Sequence, residues 1–207
     1  MIWILPIVIT LSIILWFVNG IRKIGAVSSG TPIKNRSRTA LLMIDLQTVF
    51  WEKGPYNDDA KSVAMKTILA EVSRAKSNGV TVIAVRQEWS IPSTKAVAKL
   101  LMKGQAIART PGTEIATQFE GLAEHVVVKR VQDSFETGEL DKLLEELNVG
   151  KLRIVGLDTN FCLAKTGLAA RQRGYEVVIL KQGILTMDHH TAEKTLNKLA
   201  KKGIKLL

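Results

Sequence analysis

Apolar residues fall into three patterns along this chain. The first is a single run at the start, MIWILPIVITLSIILWFVNGI, 21 residues without a charged side chain. As a helix rising ~1.5 Å per residue it extends about 31 Å, close to the ~30 Å hydrocarbon core of a bilayer. The second pattern is a series of short, uninterrupted apolar stretches: TALLMID ending at Asp45, VTVIAVR, HVVVK, KLRIVGL, YEVVIL and a final IKLL. The third is helical spacing between them, over Asp58–Gly79, Gly138–Leu147, Phe161–Arg173 and Thr191–Lys202. In the first of these helices Asp58 or Asp59 is the expected N-cap and Gly79 the terminator. Strands apolar throughout must be covered on both faces, and alternation with amphipathic helices makes them parallel. The pattern therefore predicts an α/β fold, three layers α/β/α around a mostly parallel six-stranded sheet, preceded by one transmembrane helix.

The leading run reads as a membrane anchor over residues 1–21. Trp3 and Trp16 stand near its ends, where indoles favour the headgroup level, and Pro6 falls in the first turns, where its missing N–H costs little. A cleaved signal peptide calls for basic residues before the run and a small-x-small site after it, and neither is evident. The formal net charge of +10 sharpens this reading once it is located. Arg22, Lys23, Lys34, Arg36 and Arg38 follow the run with no acid among them, Glu193–Lys205 adds a net +4, and the stretch between is almost neutral. With its cations after the run, the chain is expected to be single-pass, its domain on the cytoplasmic side. Residues 22–38 read as a basic juxtamembrane linker able to lean on anionic lipid, and 39–207 as the folded domain. No basic stripe with interleaved aromatics crosses that domain, so nucleic acid is not an expected partner.

Sheets of this kind bind ligands beyond the carboxyl ends of their strands. The residues at those ends are Asp45, Lys129 and Cys162, the last being the only cysteine. A thiolate is a nucleophile; a helix N-terminus and a nearby ammonium would both favour it, and an aspartate can orient the lysine or take the thiol proton. Taken alone, each has a plainer role: an inert buried thiol, a cap, a solvated cation. No glycine-rich phosphate fingerprint follows the first strand, and no cofactor is expected.

LLMIDLQTVF, VVVKRVQDSFETGELDKLL and LRIVGLDTNFCLAKTGLAARQRGYEVVIL, with RTPGTEI at Arg109–Ile115, resemble the isochorismatase-like cysteine hydrolases, which include nicotinamidases and N-carbamoylsarcosine amidohydrolase. The resemblance covers nearly all of 39–207. It implies a catalytic triad of Asp45, Lys129 and Cys162, a non-proline cis peptide before Asp158, and an oxyanion hole from the backbone N–H groups of Asp158 and Cys162. It further implies hydrolysis of an amide-type C–N bond through a cysteine thioester.

Several positions depart from that family. Its nicotinamidases carry an Asp/His metal cluster, whereas His125, His189 and His190 have no ligand spacing to a carboxylate near the first two strands, and Glu88 stands where relatives have histidine. No metal is expected, and nicotinamide is not the expected substrate. Asp133 replaces a serine and places a carboxylate four residues from Lys129, where it would detune the lysine. Gln47, Phe50, Glu88, Trp89 and Phe135 are the candidate pocket residues. Two functions stand side by side. One is a membrane-anchored amidohydrolase of a small-molecule amide. The other is a structural subunit that keeps the fold within a homo-oligomer or membrane complex.

Overall fold

The computed structural model describes residues 4–207. The element order is α1 (Ile4–Gly25), β1 (Arg38–Ile44), α2 (Thr48–Trp51), α3 (Asp58–Ser77), β2 (Thr81–Gln87), α4 (Pro92–Leu101), β3 (His125–Lys129), α5 (Glu139–Glu146), β4 (Val149–Gly156), α6 (Ala164–Gln172), β5 (Glu176–Ile184), α7 (His189–Lys201) and β6 (Lys205–Leu206). A 3₁₀ turn at Thr117–Phe119 precedes β3, and a π-helical turn at Thr159–Leu163 leads into α6.

All six strands are parallel, in the order β3-β2-β1-β4-β5-β6. The chain winds outward from β1 to β3, returns to place β4 on the other side of β1, and winds outward again. The switch point therefore lies between β1 and β4. Alternation along β1 divides the core. Ala40, Leu42 and Ile44 face a layer that includes Leu140, Leu144, Ala169, Tyr175 and Leu199. Leu41 and Met43 face the opposite layer, with Ile68 and Val72 of α3 and with Trp51 and Phe119, whose rings meet edge to face. The three-layer α/β/α architecture is as the apolar pattern predicts.

Gly156 fixes how closely β1 and β4 approach. Its φ is +116°, and a Cβ there would run into the Ile44 carbonyl. Only glycine meets both conditions. The turn at the end of β4 is thereby pressed against the end of β1.

Several local expectations change. The N-cap of α3 is Asn57, whose side chain accepts the N–H groups of Asp59 and Ala60; the two aspartates lie in the first turn instead, where their charge suits the helix dipole. Helix α4 is absent from the sequence reading because its buried positions, Ser93, Thr94, Val97 and Ala98, pack chiefly against α1 and not on the sheet. Strand β5 runs four residues beyond Leu180, since a register shift lets Ile184 pair with Gly156.

The N-terminal segment differs most. Helix α1 is long and apolar enough to cross a membrane by length and composition, and it continues through Arg22 and Lys23 to Gly25. Trp3, assigned to the outer end of the span, lies outside the described residues. Beyond Gly25 the chain forms a strap across the domain, not a free linker. Ser28 donates its N–H to Asp133 (2.6 Å) and Ile33 to the Arg173 carbonyl (2.7 Å). The buried Arg173 guanidinium donates to the carbonyls of Ser28 (2.9 Å) and Ser29 (3.0 Å) and to Asp141 (2.8 Å), and it stacks on the Phe135 ring at 4.6 Å. A side chain at Gly30 would collide with that guanidinium.

Candidate active site

The carboxyl ends of β1, β2, β3 and β4 converge on one buried cluster. Asp45 follows β1 with φ +55°, a left-handed conformation that aspartate tolerates better than most residues. Lys129 ends the edge strand β3 and reaches across β2, placing its Nζ 3.0 Å from Asp45 Oδ2 and 3.2 Å from Cys162 Sγ. Asp45 and Lys129 are both buried; Cys162 is half-buried. The three residues singled out at strand ends therefore meet within hydrogen-bonding distance.

Two groups hold the lysine in place. Gln87, the last residue of β2 and the register partner of Lys129, accepts from Nζ at 2.6 Å, and its amide donates to the Lys129 carbonyl at 3.3 Å. The Val131 carbonyl accepts at 3.3 Å. An ammonium buried without such acceptors would be driven to neutrality. Gln87 was missed in the sequence, yet a signal exists: like Lys129 it is the polar last residue of its strand, at the same carboxyl edge as Asp45.

Electrostatics at the thiol run against a pre-formed thiolate. Burial and the Asp45 charge push the Cys162 thiol well above its ordinary pKa, and Lys129 opposes them without prevailing. Burial also raises the Asp45 carboxyl, again against Lys129. For Lys129, burial works toward the neutral form, but attraction to Asp45 and to the cysteine outweighs it and the ammonium is retained. The resting cluster is thus a cationic lysine beside an aspartate, with a protonated thiol. Asp45 Oδ1 is buried and without a hydrogen-bond partner, an acceptor free for a proton.

Cys162 lies in the π-helical turn and not in the first turn of an α-helix. The peptide bond between Leu157 and Asp158 is cis, as the family resemblance implies. The Asp158 carboxylate ties this turn down, accepting from the N–H groups of Asn160 (2.8 Å) and Met187 (2.7 Å). Its carbonyl accepts from Phe161 (3.1 Å) and Leu163 (3.2 Å) and passes over the Cys162 N–H between them. Tyr56, between α2 and α3, is a further residue at this site; burial above all, and then the carboxylate of Asp158, push its phenol up.

The pocket candidates divide. Phe50 is half-buried where the α3-side core meets the cluster around Trp89. Trp89 itself is buried against Ile24, Val97 and Ile107, so it packs the α1–α4 corner and does not face the thiol. Gln47 is wholly buried, its amide spent on the Gln87 N–H (2.6 Å), the Gln87 carbonyl (3.1 Å) and the Thr113 carbonyl (2.7 Å); it positions the end of β2. Glu88 pairs with Arg86 at 2.9 Å, on the strand face opposite to Gln87, which turns it from the triad. Phe135 is core, between Tyr175 and Arg173. Asp133 does not detune Lys129, because its oxygens accept from Ser28 and Phe135 (2.9 Å). Among the described residues no three His, Cys, Asp or Glu side chains gather as metal ligands.

Comparison with known proteins identifies the fold and the family. A streptothricin hydrolase of Streptomyces noursei is 29% identical over 167 residues, 79% of this chain but only 60% of that protein. Nicotinamidase 3 of Arabidopsis thaliana is 25% identical, over 80% of this chain and 82% of its own. The crystal structure of an isochorismatase family protein from Desulfovibrio vulgaris superposes with a TM-score of 0.70 at 25% identity, covering 83% of this chain and 94% of that one. The isochorismatase domain model matches residues 39–207, the whole of the sheet and its helices, and the chain belongs to that family.

Proposed function

We propose that the protein is a membrane-anchored cysteine amidohydrolase that cleaves the C–N bond of a small-molecule amide. The observation that carries this is the convergence of Asp45, Lys129 and Cys162 within 3.0–3.2 Å at the switch-point end of a parallel sheet. On substrate binding the thiol proton passes to the free oxygen of Asp45 as sulfur attacks the carboxamide carbon. The Asp158 and Cys162 N–H groups receive the oxyanion, and Lys129 keeps Asp45 and the sulfur in register. The proton then moves to the leaving nitrogen, the C–N bond breaks, and a thioester to Cys162 remains. Water adds to the thioester carbon as Asp45 takes its proton, the C–S bond breaks to release the acid, and that proton returns to sulfur to regenerate the thiol. Relatives named for nicotinamide and streptothricin support amides as the substrate class. The apolar α1, with its cations on the domain side, supports a single span with the domain in the cytoplasm.

A panel of carboxamides, assayed for ammonia or amine release with the detergent-solubilised full chain, tests the chemistry. Intact mass spectrometry should trap an acyl adduct on Cys162, and Cys162→Ala should abolish both turnover and adduct. Turnover persisting in Cys162→Ala would overturn the assignment. For the anchor, the protein should stay with membranes through a high-salt wash and leave only with detergent.

A further inference from the structure

We propose that the tip of α4, Leu100 and Leu101, is a second point of membrane contact, seated on a bilayer surface carrying anionic lipid. The proposal rests on the anchor reading of α1 and adds to it a fixed depth and orientation of the domain.

Helices α1 and α4 lie side by side, and their contacts give the direction. The Ile24 carbonyl accepts from Gln132 (3.1 Å), in the loop beyond β3, which lies next to the end of β2 because the Glu88 N–H donates to the Lys129 carbonyl (2.9 Å). One turn back, Gly20 lies against Ser93, so close that an added Cβ would come within 2.8 Å of the Ser93 carbonyl. Another turn back, Phe17 packs on the cluster that holds Val97 and Ala98. Moving back along α1 from Ile24 to Gly20 thus moves forward from the end of β2 to Ser93, and the helices are antiparallel.

Depth follows from helix geometry. Leu101 is eight residues beyond Ser93, or about 12 Å along the axis, which brings it level with the region of Ser12 and Ile13 in α1. That level is inside the apolar run. Leu100 and Leu101 are 72% and 63% exposed, and on α1 the neighbouring levels present Ile13 (60%) and Trp16 (45%). At this level both helices expose large apolar side chains. The edge of the hydrocarbon then falls near Trp16, five residues or about 7.5 Å short of the end of the apolar run, a mismatch that local thinning of the bilayer takes up, and Phe17–Gly25 is a docked stalk.

Charge identifies what this surface meets. Residues 89–113 contain Lys95, Lys99, Lys103 and Arg109 and no acid, and residues 1–38 contain five cations and no acid. A second copy of the same surface would bring these cations together; phosphate headgroups match them, with the lysine stems lying along apolar surface beneath.

The test uses the full chain in phosphatidylcholine–phosphatidylglycerol vesicles. Cys162, the only cysteine, is replaced by serine, and single cysteines at Ile9, Leu101 or Leu69 (exposed on α3) carry an environment-sensitive fluorophore. Spin-labelled lipids should quench the probes at 9 and 101, the latter most strongly when the label is near the headgroup, and leave 69 unchanged. Quenching at 9 with a probe at 101 that behaves like 69 would overturn the α4 contact and leave the anchor in place. A probe at 9 that is not quenched would overturn both.

Discussion

Cys162 sits under opposed influences whose balance is measurable. Burial and Asp45 raise its pKa and Lys129 lowers it, with the net upward. A raised thiol pKa leaves less thiolate at neutral pH than an ordinary cysteine has, so alkylation by iodoacetamide should be slow at pH 7 and still rising above pH 9. Asp45→Asn removes the charge that opposes thiolate formation and leaves the Lys129 ammonium in need of an anion. The labelling midpoint should then fall below that of the native chain while turnover is lost, because no base remains for the thiol proton. A midpoint that rises in this variant would show that Asp45 does not face the sulfur. The sequence alone suggested the reverse, an activated thiolate, because one residue's neighbours in the chain say nothing of how deeply it is buried. Gln87 and Tyr56 went unnoticed for a related reason: each acts by reaching a residue brought close only by folding.

At the scale of elements, the strands were legible because burial on both faces writes an unbroken apolar run, and the four helices α3, α5, α6 and α7 were legible from their amphipathic spacing. Helix α4 was not legible as a helix, since its apolar face answers α1 and has only Val97 and Ala98 among aliphatic positions. The β4–α6 turn carries the strictest local requirement. At Gly156 any side chain meets the Ile44 carbonyl and φ is +116°. Gly156→Ala should destabilise the domain by at least about 1–3 kcal/mol, read as a lowered urea midpoint. It should also reduce activity beyond the loss of folded protein, because the β1 and β4 ends that carry Asp45 and the Cys162 turn are forced apart. A variant as stable as the native chain would mean that the close approach is relaxed in solution.

For the whole molecule, the hydropathy pattern gave an anchor, a linker and a domain as three consecutive pieces, and the fold itself followed from the third. What the pattern could not convey is that the second piece belongs to the third. Arg173, fully buried, has most of its donors on Ser28, Ser29 and Asp141. Removing residues 1–38 strips the two serines away and leaves a guanidinium in the interior with unpaired N–H groups, at a cost of roughly 3–5 kcal/mol by the usual penalty for breaking a buried charge network. Removing residues 1–16 keeps the strap and the stalk. Thermal denaturation of the two truncated proteins should therefore place the shorter deletion clearly higher in Tm. Equal values would show that water replaces the strap without loss.

The strap also bears on how the protein yields to proteases. Lys34, Arg36 and Arg38 offer trypsin three sites in a stretch that looks, by composition, like the easiest place to cut. A protease must draw several residues of extended chain into its cleft, and here the backbone on either side is held at Ser28, Ser29, Ile33 and Arg38. Native protein should be nicked there slowly, and Arg173→Ala should turn the same stretch into the first site of cleavage, releasing a fragment that begins after Lys34 or Arg36. Helix α1 would then part from a domain that is still folded, through the loss of one side chain well over a hundred residues away in sequence.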